Sequence, residues 1–334
     1  MAHLAEDGRP GAPGHAALGP GAEFDLVRRL LDRWGPLARG IGDDAAVLDV
    51  PAGERLVVST DASVEGAHFR RGWLTAEEIG WRAAASALSD LAAMAARPLG
   101  VLLALSLPDR WRDALDGLAD GVGAAARSVG APIVGGALAR GGDLALTVTV
   151  LGSTPHPLGR AGASPGELVC VTGALGGARL ALDALLRGEA PAAVHRTRFA
   201  RPAPRIAEAR WLAARGATAM VDVSDGLAAD LGHVAAASGV RLAVDPARVP
   251  CAPGASAAVA LASGEEYELA LTLAADEEGA RATCSAFAAT FGVALTPIGR
   301  VERAAVPGVV VVRCGGADAD ARVDLPSGHD HFTR

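Results

Sequence analysis

Aspartates recur in this 334-residue chain where an apolar run gives way to a turn, or where the neighbours are apolar. Asp43 and Asp44 sit in "GIGDDAAVL", between a glycine turn and a strand-like run. Asp61 closes "RLVVSTD", Asp222 and Asp225 stand in "VDVSDGLAADLGH", and Asp90 lies in "ALSDLAAM", inside a stretch of small residues. Most have a plain structural use, as turn aspartates facing water or, for Asp225, as an N-cap. Asp90 is harder to dismiss, because a carboxylate flanked by Ala, Leu and Met must be paired or bound. With the hydroxyls of Ser59, Thr60 and Ser224, the set offers hard oxygen donors, which suit Mg²⁺ or Ca²⁺ rather than zinc or copper. Mg²⁺ keeps waters and is held by a few carboxylates plus substrate phosphates, so dispersed aspartates point to a magnesium–phosphate enzyme.

The chain contains no Lys, Asn or Gln. That excludes a Walker-type lysine, a Schiff base and an amide side chain in an oxyanion hole. Bound anions must be held by Arg, His, hydroxyls, backbone amides or metal ions. The glycine stretches "IVGGALARGG" and "TGALGGARL" follow apolar strands and could present backbone amides to an anion, although neither matches a P-loop or dinucleotide fingerprint. A net charge of -7 and a pI near 5.6 argue against nucleic acid as a partner. No uncharged apolar stretch reaches the length of a membrane span. Cys170, Cys251, Cys284 and Cys314 lie far apart without C-x-x-C spacing, so neither a zinc site nor a disulfide framework is expected, and a reducing cytoplasm fits best.

These residues need elements to position them. "AAVLDV" and "RLVVST" read as strands joined by the turn "PAGE". "TAEEIGWRAAASALSDLAAMAARP" reads as a helix, opened by a capping box of Thr75 with Glu78 and closed by Pro98. A strand "VLLALSL", a helix from about 111 to 128, "APIVGG" and the strand "LALTVTVLG" complete the first half. Pro and Gly cluster in "STPHPLGRAGASPGE", which marks a linker. The second half alternates "LVCVTG", a helix to about 187, a helix near 203–214, "TAMVDVSD", a helix to about 237, "RLAVD", "YELALTL", a helix near 276–290 and closing strands. The expected architecture is α/β, of α+β type, in two domains. Residues 1–22, rich in Gly, Pro and Ala and without a secretory pattern, form an expected disordered leader, followed by domains over 23–153 and 154–334.

Taken in order, "GIGDDAAVL", "STDASVEGAHF", "ALSDLAAMAARP", "IVGG", "GRAGASPGE", "VDVSDGLAADLGH", "GEEYEL" and "SGHDHF" resemble the thiamine-monophosphate kinase family. That family belongs to the superfamily of aminoimidazole ribonucleotide synthetase. The resemblance implies two α/β domains, with the N-terminal domains of two chains pairing into a shared barrel as a homodimer. It implies phosphorylation of thiamine monophosphate to thiamine diphosphate, with ATP as co-substrate and several Mg²⁺ ions. By matching position, Asp44, Ser59, Thr60, Asp61, Asp90, Asp222 and Asp225 resemble metal ligands, while Asp43 serves the loop. Gly136, Ala137, Arg160 and Ser224 fall at ATP-contact positions, and His68, Glu265 and His329 at substrate-contact positions. No general base is expected, because the acceptor phosphate is already anionic.

Three departures from the family pattern stand out. Ala137 and Leu138 follow "IVGG" where the family has Asp-Thr, so one metal ligand is missing, or is replaced by an acid such as Asp143. Glu266 replaces an Asp, and His329 replaces an aromatic that stacks on the thiamine ring. The implied alternatives are a homologue that binds thiamine phosphate or nucleotide without turnover, and a sibling ATP-dependent synthetase.

Overall fold

The computed structural model describes residues 15, 18, 21–42, 44–303 and 309–312. Asp43, Cys314 and His329 lie outside the described residues. The described residues divide into two compact units, one built from those up to Leu91 together with Pro98–Pro155, the other from Ala92–Arg97 and those from His156 onward.

The first unit contains α1 (Ala22–Trp34), β1 (Arg55–Val64), α2 (Ala76–Ala93), β2 (Arg97–Ser106), α3 (Leu115–Ser128), β3 (Ile133–Ala139) and β4 (Ala145–Thr154). Its sheet runs in the order β1-β4-β2-β3, with β1 antiparallel to β4 and β2 parallel to β3. The capping box forms as expected: Thr75 N–H donates to Glu78 Oε2 (2.8 Å) and Glu78 N–H to Thr75 Oγ1 (3.2 Å). The small residues of α2 have a packing reason. A Cβ on Gly80 would lie 2.1 Å from the Leu118 carbonyl, and one on Gly121 would lie 1.9 Å from that of Glu77. The backbones of α2 and α3 therefore touch, and Ala84, Ala85, Leu88, Leu115, Leu118 and Val122 are fully buried around them.

Two sequence expectations fail here. "AAVLDV" forms no strand: residues 46–50 are irregular and Val47 is 93% exposed. A short apolar run alone does not make a strand without a partner edge to pair with. Nor does Pro98 close α2. The helix ends at Ala93, Ala95 turns the chain at φ +53°, and Pro98 lies within β2.

The second unit contains β5 (Leu168–Thr172), α4 (Gly177–Leu186), α5 (Ala193–Ala200), α6 (Ile206–Ala213), β6 (Ala217–Asp222), α7 (Leu227–Ser238), β7 (Arg241–Val244), α8 (Ala257–Ala262), β8 (Leu269–Leu273), α9 (Glu277–Phe291), β9 (Leu295–Glu302) and β10 (Val309–Val312). The sheet order is β10-β7-β9-β5-β8-β6, antiparallel except for the β10–β7 pair. Strands β5 and β8 are buried at every residue, with Val169, Val171, Val221, Leu231, Val234 and Ile298 at the centre of one apolar core. The short helices α5 and α8 were not expected from the sequence. Both are alanine-containing segments of eight and six residues with no acidic first turn.

Candidate functional site

In the first unit, β1 and α2 bring Ser59 and Asp90 together, and Ser59 Oγ donates to Asp90 Oδ2 at 2.5 Å. Strand alternation puts Asp61 on the same face as Ser59. Thr60 points to the other face, where its hydroxyl meets that of Thr149 on β4 at 3.0 Å, leaving only its backbone to serve the Ser59 side. Asp61 Oδ1 accepts its neighbour's amide, from Ala62 N–H (2.8 Å). Asp44 is exposed after a turn in which Gly40 and Gly42 take φ +62° and +122°.

The segment after β1 is held stiffly. Phe69 is buried and its carbonyl accepts from Gly66 N–H (2.7 Å). Glu65 accepts from Trp111 Nε1 (2.9 Å) and Arg110 (2.8 Å). His68 Nδ1 accepts from Val64 N–H (3.1 Å), which fixes the tautomer and leaves Nε2–H as the ring's donor. Gly135 and Gly136, expected in an anion-binding turn, lie inside β3 itself, where a Cβ on Gly136 would collide with the Leu103 carbonyl at 1.9 Å. Ala137 is exposed on this strand. Asp143, considered as a substitute acid for Ala137, is engaged by Arg110 at 3.0 Å.

In the second unit, β6 ends at Asp222, buried at 6% exposure, and a turn through Ser224, Asp225 and Gly226 leads into α7. A further acid organises this turn. Asp230 Oδ2 accepts from three successive amides, those of Ser224 (3.1 Å), Asp225 (3.2 Å) and Gly226 (3.1 Å). Burial, then the charges of Asp222 and Asp225, push the Asp230 carboxyl up to about 7. The reasoning applied to Asp90 could have found Asp230, which sits among Ala, Leu and Gly in "LAADLGH".

The carbonyl edge of the same turn carries the loop with Glu265. Ser224 C=O accepts from Glu265 N–H (2.7 Å), and Val223 C=O accepts from Glu266 N–H (3.1 Å) and Tyr267 N–H (2.9 Å). Glu265 and Tyr267 both adopt left-handed backbone, φ +60° and +51°, a conformation held only where the surroundings dictate it. Between them, Glu266 turns inward and is fully buried. Its Oε1 accepts from Gly176 N–H (2.7 Å), Ala178 N–H (3.0 Å) and Ser263 Oγ (2.6 Å), while Oε2 accepts from Arg198 Nε (3.0 Å). The helix N-terminus of "TGALGGARL" is therefore filled by the protein's own carboxylate, and its expected role as a phosphate cradle is corrected. Glu268, also fully buried, accepts from Arg198 Nη2 (2.5 Å), Arg205 Nη2 (2.7 Å) and Thr172 Oγ1 (2.5 Å). Burial raises its pKa, but the two guanidiniums outweigh this and hold it below the usual carboxylate range. Arg160, exposed, lies in a loop whose backbone is pinned by Ser238 Oγ, which donates to the Arg160 carbonyl (2.9 Å).

Among the described residues, no group of three or more His, Cys, Asp or Glu side chains is already gathered to hold a metal. The donor sets nevertheless fit Mg²⁺. All are hard oxygens, and the mutual repulsion of Asp222, Asp225 and Asp230 is the kind a divalent cation relieves.

Residues 42–154 match the model of the AIR synthase related protein, N-terminal domain, and residues 164–312 its C-terminal domain. Thiamine-monophosphate kinase of Salmonella typhimurium is 34% identical over 329 residues, covering 93% of this chain and 98% of that protein. The crystal structure of thiamine-monophosphate kinase from Stenotrophomonas maltophilia K279a superposes with a TM-score of 0.77 at 38% identity, over 89% of this chain and 98% of that one. The structure of AaThiL complexed with AMPPCP and TMP superposes with a TM-score of 0.72 at 28% identity, over 92% and 96%.

Proposed function

The chain belongs to the thiamine-monophosphate kinases of the AIR synthase related family, and on that premise we propose that it transfers the γ-phosphoryl group of ATP to thiamine monophosphate, giving thiamine diphosphate and ADP. The observation that carries this reading is the turn between Asp222 and Asp225 in the second unit: Asp230 takes the amides of Ser224, Asp225 and Gly226, and the left-handed Glu265 is tied to the carbonyl edge.

The acceptor is an oxygen of the substrate's own phosphate, which is anionic near neutral pH, so no side chain need act as general base. The protein's task is to hold two polyanions in line. Mg²⁺, when bound, supplies the positive charge that neutralises them. Asp44, Asp61, Asp90 and Ser59, with the backbone of Thr60, would hold it in the first unit, and Asp222 and Asp225 in the second. Gly136 approaches as bare backbone, Arg160 offers an exposed guanidinium, and Ser224 a hydroxyl to ATP. Ala137, at the remaining ATP-contact position, offers only a methyl group and its backbone. His68, through Nε2–H, Glu265 and His329 would contact the thiamine phosphate. The outer face of the first sheet leaves Leu56 and Val58 about half exposed on its edge strand β1. That apolar edge supports pairing with a second copy of the chain. No described helix is long and apolar enough to cross a membrane. A kinase that consumes ATP belongs where ATP is held, in the cytoplasm.

The test is product analysis. The purified chain with ATP, Mg²⁺ and thiamine monophosphate should form thiamine diphosphate and ADP in equal amounts by chromatography. Saturable binding of thiamine monophosphate or ATP without product would overturn the reading and make Ala137 the mark of a binding protein.

A further inference from the structure

We infer that Asp230 is a positioning residue of this site, whose carboxylate sets the Ser224–Gly226 turn so that Asp222 and Asp225 are presented to the metal. The inference deepens the proposed kinase reading and rests on it. Three consecutive amides reach one oxygen, Asp230 Oδ2, at 3.1 to 3.2 Å only because the turn wraps around it. Asp230 is itself 1% exposed, so it shapes the turn from beneath and does not meet the substrate.

The opposite edge of the turn is equally confined. Val223 N–H donates to the Glu268 carbonyl (2.8 Å), and the Val223 and Ser224 carbonyls take the amides of residues 265 to 267. A Cβ on Gly264 would lie 2.6 Å from the Ser224 carbonyl, and one on Gly226, at φ +128°, would lie 3.2 Å from that of Ala262. The turn thus cannot move toward the Glu265 loop. On its amide side it is held by Asp230. Removing that acceptor frees three amides at once, and the turn loses the spacing between Asp222 and Asp225. Because the same turn carries Glu265, the substrate contact loosens with it.

The experiment compares wild type with Asp230→Ala and Asp230→Asn. It reads Mn²⁺ binding by electron paramagnetic resonance, the thermal midpoint, and kcat and KM for thiamine monophosphate. Asn keeps an oxygen that can accept the amides. Asp230→Ala should weaken Mn²⁺ binding by about tenfold or more and raise KM, while Asp230→Asn stays within about threefold of wild type. A lowered thermal midpoint with unchanged Mn²⁺ binding in Asp230→Ala would reduce the role to stability and overturn the inference. Equal loss in both variants would make Asp230 a direct ligand, and also overturns it, as does a wild type that binds no Mn²⁺. If Asp230→Ala does not fold, Asp230→Asn decides with hydrogen exchange at residues 224–226. Retained protection and retained Mn²⁺ binding support positioning, whereas retained protection with lost binding refutes it. Failure of wild type to form thiamine diphosphate would sink the kinase reading alone, since the Mn²⁺ comparison does not depend on it.

Discussion

In the first unit the candidate ligands lie nearer the surface: Asp44 is exposed, Asp61 accepts the adjacent amide, and the half-buried Asp90 has the Ser59 hydroxyl from β1 among its contacts. In the second unit the acids are held on several sides. Asp230 takes three amides, Glu266 takes two amides, a serine and an arginine, and Glu268 lies between two arginines and a threonine. The difference follows from burial. A carboxylate at the surface is solvated and free to reorganise around a ligand, whereas one in the interior persists only if its oxygens are satisfied by the protein. In the first unit Asp44, Asp61 and Asp90 all keep part of their surface open to solvent. In the second, Asp230, Glu266 and Glu268 serve as internal acceptors that hold the backbone around Asp222 and Asp225.

The sharpest attempt to break this contrast is Glu268→Gln. It leaves the guanidiniums of Arg198 and Arg205 buried against a neutral amide and should destabilise the chain by about 3–5 kcal/mol in urea denaturation. A loss below about 1 kcal/mol would remove the scaffolding role. On the other side, Asp90→Ala should lower kinase turnover by about a hundredfold or more, with little change in thermal midpoint. Matched losses of stability and activity would mean that Asp90 is scaffold too.

pH separates the two kinds of acid more gently. Glu268 has a folded-state pKa below its ordinary 4.5, so the stability it confers is present above that value and is lost as pH falls through the folded value. Asp230 runs the other way. Its folded-state value near 7 lies above the ordinary 3.8, so the folded chain keeps a proton that the unfolded chain releases, and stability falls as pH rises from about 4 to about 7. With metal chelated, a thermal-midpoint series should show that decline, and Asp230→Asn should flatten it. The smallest effect is expected from Ala137→Asp. A carboxylate on the exposed face of β3 should tighten Mg²⁺ activation by a few fold, and no gain would mean that the first unit has adapted to the methyl group.

Much of the framework is readable in the residues. The capping box at Thr75 and Glu78 is local and forms where it is written, and the apolar runs of β5, β6 and β8 are strands because each can be buried on both faces. "AAVLDV" shows where local pattern stops: it is apolar enough to read as a strand, but among the described residues it pairs with none. Asp230 was within reach of the argument that singled out Asp90, for both are carboxylates among small apolar neighbours.

Glu266 was not within reach. Its place at the start of α4 depends on β8 returning the chain to a helix ninety residues earlier, and on the left-handed residues that flank it. The sequence by itself determined the inventory of hard oxygen donors, the absence of lysine and amide side chains, and the strand ends where acids stand, because these are properties of residue type and local order. Only the tertiary structure decided which carboxylates remain open and which are consumed as internal acceptors, because that depends on which backbone amides and guanidiniums long-range packing brings within hydrogen-bonding reach.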